Sequence, residues 1–251
     1  MNYEIEVCSF SLESCLAAER AGADRIELCG GFSEGGTTPS LGLIEVAKTF
    51  CQLPMFVMIR PRGGDFLYTE TEWRTMEADV RWAKKAGADG LVAGFLTPEG
   101  RIDMERWKTF LSWADPLPVT FHRAFDMTPD PLQALDDLLA VGGCSRILTS
   151  GQQPSVAQGI PLLKQLQERA GDQIRIMAGA GMKAELIPSL VSAGIKSVHL
   201  TGKGAVMSAM SFRQPKVSMA SSTWTDEYIR FETKEEQVRK VKEEIQKITQ
   251  I

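Results

Sequence analysis

Leu53-Pro54-Met55-Phe56-Val57-Met58-Ile59-Arg60-Pro61-Arg62-Gly63-Gly64-Asp65-Phe66 is the stretch on which the fold is decided. After the Leu-Pro break, Met55 to Ile59 is an apolar run too short for a helix and bounded by turn residues, as expected for a parallel strand covered on both faces. It stops abruptly in two arginines, a proline, a glycine pair and a carboxylate. Packing does not ask for that ending. A tight turn with solvated charges would account for it, but paired arginines also suit bidentate recognition of an anion or carboxylate.

The same unit recurs on both sides. Tyr3 to Phe10 reads as a strand, and Ser11 caps a helix whose apolar positions Leu12, Cys15, Leu16 and Ala18 continue to Gly22. Arg25 to Cys29 is a second strand, followed by a glycine-rich segment over 30–36 and a helix from Ser40 to about Phe50. Further helices are expected over Glu70 to Ala86, Asp103 to Ala114, Pro131 to Val141, Ser155 to Ala170 and Ala184 to Ala193. Strands are expected over Gly90 to Phe95, Val119 to His122, Arg146 to Thr149, Ile174 to Ala178 and Ser197 to Leu200. A long polar loop over 203–229 and a charged helix from Lys234 to Ile248 close the chain.

Eight strands each followed by a helix would suit an open sheet as well as a barrel. The spacing favours closure: the helix stops Gly22 and Gly87, and the Leu-Pro breaks at Pro54 and Pro118, recur at about 65 residues, two units of an eightfold repeat. The expectation is one TIM (β/α)8 barrel domain over 1–251, with no linker or composition break.

In such a barrel the C-terminal strand ends converge on one rim. They carry Glu6 and Cys8, Glu27 and Cys29, Arg60 and Arg62 with Asp65, His122 and Arg123 with Asp126, Ser150, Gly179 and His199. Residues of one parity share a face, so Glu6 lies with Cys8 and Glu27 with Cys29, on neighbouring strands. The chain has two histidines, both at strand ends; either can serve as general acid or base with Glu6 or Glu27 as partner. Arg60 and Arg123 are the expected cations for these carboxylates, whether in a structural ion-pair network or a site. The exits Ala178-Gly179-Ala180-Gly181 and Thr201-Gly202-Lys203-Gly204 could present Gly179, Gly181 and Gly202 to a phosphate, or simply form tight turns.

Composition narrows the partners. At 251 residues and 43% hydrophobic content a large core is available, and a net charge of −4 gives nucleic acid or an anionic membrane no bulk electrostatic support. No apolar run is long enough to span a bilayer, and Met1-Asn2-Tyr3-Glu4 lacks the blocks of a secretory signal, so a cytoplasmic location is expected. Five cysteines without a CxxC pair read as reduced thiols.

Arg60-Pro-Arg-Gly-Gly-Asp-Phe66, Thr120-Phe-His-Arg-Ala-Phe-Asp126, Leu148-Thr-Ser-Gly-Gln152 and Met177-Ala-Gly-Ala-Gly181, with Gly35 to Ser40, together resemble the copper homeostasis protein CutC family from about residue 4 onward. The resemblance implies a TIM barrel, a cytoplasmic protein forming dimers or larger homo-oligomers, and a role in copper tolerance with Cu(I) bound by Cys8 and Cys29. Soft thiolates suit Cu(I). It carries Glu6, Glu27, Arg60, Arg62, Asp65, His122, Arg123 and His199 as the shared polar rim. Ser9 stands where some members have a second cysteine, and Leu200-Thr201-Gly202-Lys203 departs from the usual pattern after His199, adding a lysine that suits an anion. Met207, Met210 and Met219 could offer thioethers, but are expected to pack the loop as apolar cover. The alternative to a copper protein is an enzyme acting on a small phosphorylated or carboxylate substrate. In that reading Arg60 and Arg123 bind the anion, and His122 and Glu27 transfer protons.

Overall fold

The structure is a computed structural model that describes residues 3–217, 219 and 226–249. Eight parallel strands close into a barrel: β1 (Glu4–Ser9), β2 (Arg25–Leu28), β3 (Met55–Met58), β4 (Gly90–Ala93), β5 (Val119–Phe121), β6 (Cys144–Thr149), β7 (Arg175–Ala178) and β8 (Ser197–Leu200), with β8 pairing back to β1. Around them lie α1 (Leu12–Arg20), α2 (Leu41–Phe50), α3 (Glu70–Lys85), α4 (Met104–Ala114), α5 (Pro131–Val141), α6 (Val156–Ala170), α7 (Ile187–Ser192) and α8 (Glu235–Thr249). No helix among the described residues is long and apolar enough to cross a membrane.

Helix starts follow from local chemistry. Ser11 and Ser40 accept from the backbone N–H groups of Ser14 and Leu43, Thr69 and Glu72 form a reciprocal capping box, and Asp130 caps α5 ahead of Pro131. Three expectations are corrected. The helix expected over 184–193 splits into a 3-10 turn (Ala184–Leu186) and α7, because Pro188 has no N–H to continue a helix from the preceding turn but is tolerated where a new one starts. β6 starts at Cys144 rather than Arg146, beside a register shift between Val119 and Thr120. Within the segment read as polar loop, β9 (Lys203–Met207) pairs antiparallel with β10 (Ile229–Thr233); 218 and 220–225 lie outside the described residues.

Strand parity separates two cores. Ile5, Val7, Ile26, Leu28, Val57, Leu91, Phe121, Ile147, Ile176 and Val198 point outward into the large core beneath the helices. Cys8, Cys29, Phe56, Met58 and Val92 form a second, small cluster inside the barrel, with Phe10 packed against it. β1 and β2 therefore do alternate, with the charged residues facing inward and the aliphatic ones outward. At the β6 exit, α6 packs so closely that a Cβ on Gly159 would lie 1.8 Å from the Ser150 carbonyl oxygen. Backbone cannot yield there as a side-chain tip can. Gly159→Ala is expected to destabilise by about 3 kcal/mol, the upper end for overpacking; an unchanged urea midpoint would contradict this contact.

Candidate functional site

The barrel interior is built in tiers by the register Glu6↔Arg25, Glu6↔His199 and Cys8↔Glu27. At the lowest tier Glu4 pairs with Arg25, with Arg146 (Nη2 to Oε1, 2.9 Å) and with Arg175 (Nη1 to Oε2, 2.7 Å). Above it Arg25 Nε donates to Glu6 Oε2 at 2.6 Å, and the Arg25 guanidinium stacks over Phe56 at 4.3 Å. The other Glu6 oxygen lies 2.7 Å from His199 Nδ1. That contact leaves His199 Nε2 facing upward, 3.8 Å from Glu27 Oε2. Cys8 Sγ and Cys29 Sγ are 3.8 Å apart, and Cys29 Sγ is 3.5 Å from Glu27 Oε2. One ligand atom each from Cys8, Glu27 and His199 falls within 4.8 Å of the others, and all three residues are buried.

The charge distribution is set by this packing. Burial alone would raise the Glu6 pKa, but Arg25 and the His199 contact outweigh it and hold Glu6 at about 2. The Cys8 thiol is lowered to about 6, first by the Cys29 thiol and, against burial, by His199. Burial and the adjacent Cys8 push Glu27 well up, and burial with the Cys8 contact does the same to Cys29. For His199 burial opposes the charged form, yet Glu27, Cys8 and Glu6 together raise it well above its ordinary value. The packing therefore favours ionisation of the Cys8 thiol over that of Cys29 and favours the charged form of His199, whose Nδ1 is held by Glu6. A pH titration of thiolate absorbance should show one of the five cysteines ionising with a midpoint at about 6. That step should vanish in Cys8→Ser; its survival there would place the thiolate elsewhere.

The thiols are covered from above. A Cβ on Gly36, at φ 100°, would sit 3.2 Å from Cys29 Sγ, so the loop after β2 crosses the thiol only as glycine. Arg60 ties that loop down, with Nη1 donating to the carbonyls of Glu34 and Gly36 and Nη2 to that of Gly64. Phe10 meets Phe32 edge-on at 5.0 Å, and Phe231 of β10 stacks on Phe32 at 5.2 Å.

The remaining sequence candidates divide. His122 is buried just past the end of β5, but its Nδ1 accepts from Ala124 N–H, and burial followed by the nearby Arg60 charge holds its pKa down at about 3. It pairs with neither glutamate. Arg62 spends its donors on Glu72, Asp65 and the carbonyls of Gly63, Asp65 and Leu67, and the Asp65 side chain is 75% exposed. Arg123 bonds Asp126 and Ser150. The expectation that Arg60 or Arg123 compensates Glu6 is corrected: the cation is Arg25, one stagger below the rim. Gly179 N–H donates to the Thr149 carbonyl, while Gly181 and Gly202 adopt left-handed conformations. Met207, Met210 and Met219 are 61%, 59% and 87% exposed, so they neither cover the loop nor reach the thiols. Arg25 escaped notice because it begins its strand, where a charge ordinarily reads as solvated; the alternation Arg25-Ile26-Glu27-Leu28-Cys29 was the available signal.

A model of the CutC family matches residues 3–204. The copper homeostasis protein cutC homolog of Homo sapiens is 49% identical over 89% of this chain and 82% of its own length. A CutC family protein of Chromobacterium violaceum is 44% identical over 98% of this chain and all of its own. Among solved structures, CutC from Streptococcus agalactiae superposes with a TM-score of 0.75 at 37% identity, covering 79% of this chain and 98% of that one. Thiamine phosphate pyrophosphorylase from Pyrococcus furiosus, at 13% identity and TM-score 0.58 over 98% and 96% of the two chains, shares the barrel. With the family model spanning most of the barrel and the relatives aligned nearly end to end, the chain belongs to the CutC family.

Proposed function

We propose that this protein takes up Cu(I) as its cargo in the cytoplasm, through Cys8 and Cys29 with His199 Nε2 as third ligand. The observation that carries this reading is the pair of sulfurs 3.8 Å apart on adjacent strand ends, with a His199 ring nitrogen within 4.8 Å of the Cys8 sulfur. With a metal–sulfur bond of about 2.3 Å, the value for thiolate-bound zinc, that separation corresponds to an S–metal–S angle of about 110°, which leaves room for a third donor. The donor set is soft and suits Cu(I). Glu6 on His199 Nδ1 is the carboxylate–histidine arrangement that orients ligating imidazoles. All five cysteines are free, in keeping with a reducing compartment. Competition with a chromogenic Cu(I) chelator tests the reading: one tightly held Cu(I) per chain is expected, and binding no tighter than that of an unfolded control would overturn it.

A further inference from the structure

We propose that the β3–β5 side of the barrel mouth is a binding site for a small organic monocarboxylate, which accepts a hydrogen bond from His122 Nε2–H in the field of the Arg60 guanidinium. This does not rest on the copper reading and uses none of its ligands.

The first observation is a set of polar groups left without partners in one sector. Thr120 Oγ1, on the inward face of β5, and His122 Nε2, at the residue just past the end of that strand, have no hydrogen-bond partner, and their residues are 0% and 4% exposed. Because Nδ1 accepts from Ala124 N–H, the neutral ring must carry its proton on Nε2, so the orphan is a donor. Buried donors ordinarily find partners, and an unmet one costs about 1–3 kcal/mol. A ligand oxygen at this position would remove that cost.

The second observation is the charge of Arg60. It is 6% exposed, yet its guanidinium meets only carbonyl oxygens, and among the described residues no carboxylate pairs with it. Its Nε is unpartnered; the Tyr68 hydroxyl beside it is the protein's own alternative for that N–H, so Arg60 contributes chiefly charge. Buried charges are normally paired. Arg60 thus brings a buried positive charge that no carboxylate among the described residues pairs with, and a single negative charge would balance it.

Local geometry brings the two together. Continuing the register of Met58↔Val92↔Thr120 upward by two residues puts Arg60, Gly94 and His122 at one level. A Cβ on Gly94 would lie 2.6 Å from His122 Nδ1, so the imidazole occupies the room that the missing side chain leaves just past the end of β4. Phe66 contacts both groups, with its ring 5.0 Å from the Arg60 guanidinium carbon and 4.9 Å from the His122 ring. A flat monoanion with two oxygens fits one cation, an imidazole N–H and a hydroxyl. A phosphate dianion would need more donors and charge than this sector holds.

The chain has two histidines, so 15N-histidine labelling resolves both rings in the full protein. Sodium acetate is the probe, with sodium chloride and inorganic phosphate at matched ionic strength. The expected result is a saturable shift of the His122 Nε2–H resonance with acetate alone, while the His199 signal stays in place. His122→Phe, which keeps the ring stack, and Thr120→Val should weaken acetate binding measured by calorimetry about tenfold or more for the histidine and less for the threonine. Arg60→Gln, which removes the charge, should also weaken acetate binding about tenfold or more. The proposal is overturned if acetate leaves His122 unmoved at tens of millimolar, if chloride or phosphate moves it equally, or if His122→Phe binds acetate undiminished. The Cys8→Ser/Cys29→Ser protein should retain the response, which separates this site from the failure or success of copper binding.

Discussion

Replacing Cys8 and Cys29 together by serine is expected to lower Cu(I) affinity by at least about a hundredfold, beyond the ~10–100-fold typical of removing an outer partner of a metal ligand. Hydroxyls are hard, weakly acidic donors and do not substitute for thiolates at Cu(I). The other three cysteines cannot compensate. Cys15 is fully buried in the core with its pKa raised to about 12 by burial, Cys144 is likewise raised to about 12, and Cys51 is buried at the end of α2. Glu6→Gln is the finer probe, since Glu6 reaches the proposed metal position only by way of His199: it should weaken Cu(I) by roughly ten- to a hundredfold and shift the His199 ring nitrogens in the spectrum, which its pairing with Arg25 alone would not do. Chelator competition on folded variants reads both effects. Parent-like affinity in the double serine protein would remove the thiol pair from the function altogether.

Arg25→Met is expected to cost about 3–5 kcal/mol of folding stability, the range for stripping one partner from a buried ion pair. Arg25 bonds both Glu6 and Glu4, and Glu6 is wholly buried, so the substitution leaves one Glu6 oxygen without its cation and His199 as the carboxylate's remaining partner. The sign of the pH dependence follows from the lowered Glu6 pKa. In the parent, Glu6 contributes stability above the ordinary carboxylate value of 4.5, and that contribution is lost as pH falls towards about 2. In Arg25→Met the same carboxylate is a cost near neutral pH and is relieved by protonation, so the gap between the two proteins should narrow on acidification. Urea unfolding at several pH values tests this. Adding Glu6→Leu to Arg25→Met should recover part of the loss; strictly additive effects would mean that the two residues do not act as a pair.

Much of the architecture was legible in the chain because barrel strands announce themselves locally. Met55 to Ile59 is apolar on both faces, its ends carry Pro54 and the Arg60–Gly64 turn, and the same punctuation returns at Pro118. The β9–β10 hairpin was not legible, since its exposed, alternating residues resemble a loop and its pairing partners are separated by the long intervening segment. The grouping of Glu6 with Cys8 and Glu27 with Cys29 followed from parity alone. Which cation and which histidine joined them did not.

By itself, the sequence determined an eight-unit α/β barrel, the rim on which its polar residues gather, and the neighbouring thiols, because all of these depend on periodicity and on the order of strands. Tertiary structure decided the rest: that Arg25 and not Arg60 compensates Glu6, that His199 rather than His122 meets the carboxylates, and that Arg60 faces only carbonyls. Those outcomes depend on the stagger between strands and on side-chain lengths of a few ångströms. A charge one step lower in the barrel reaches Glu6 at 2.6 Å, whereas one at the rim is taken by the loops that fold over it.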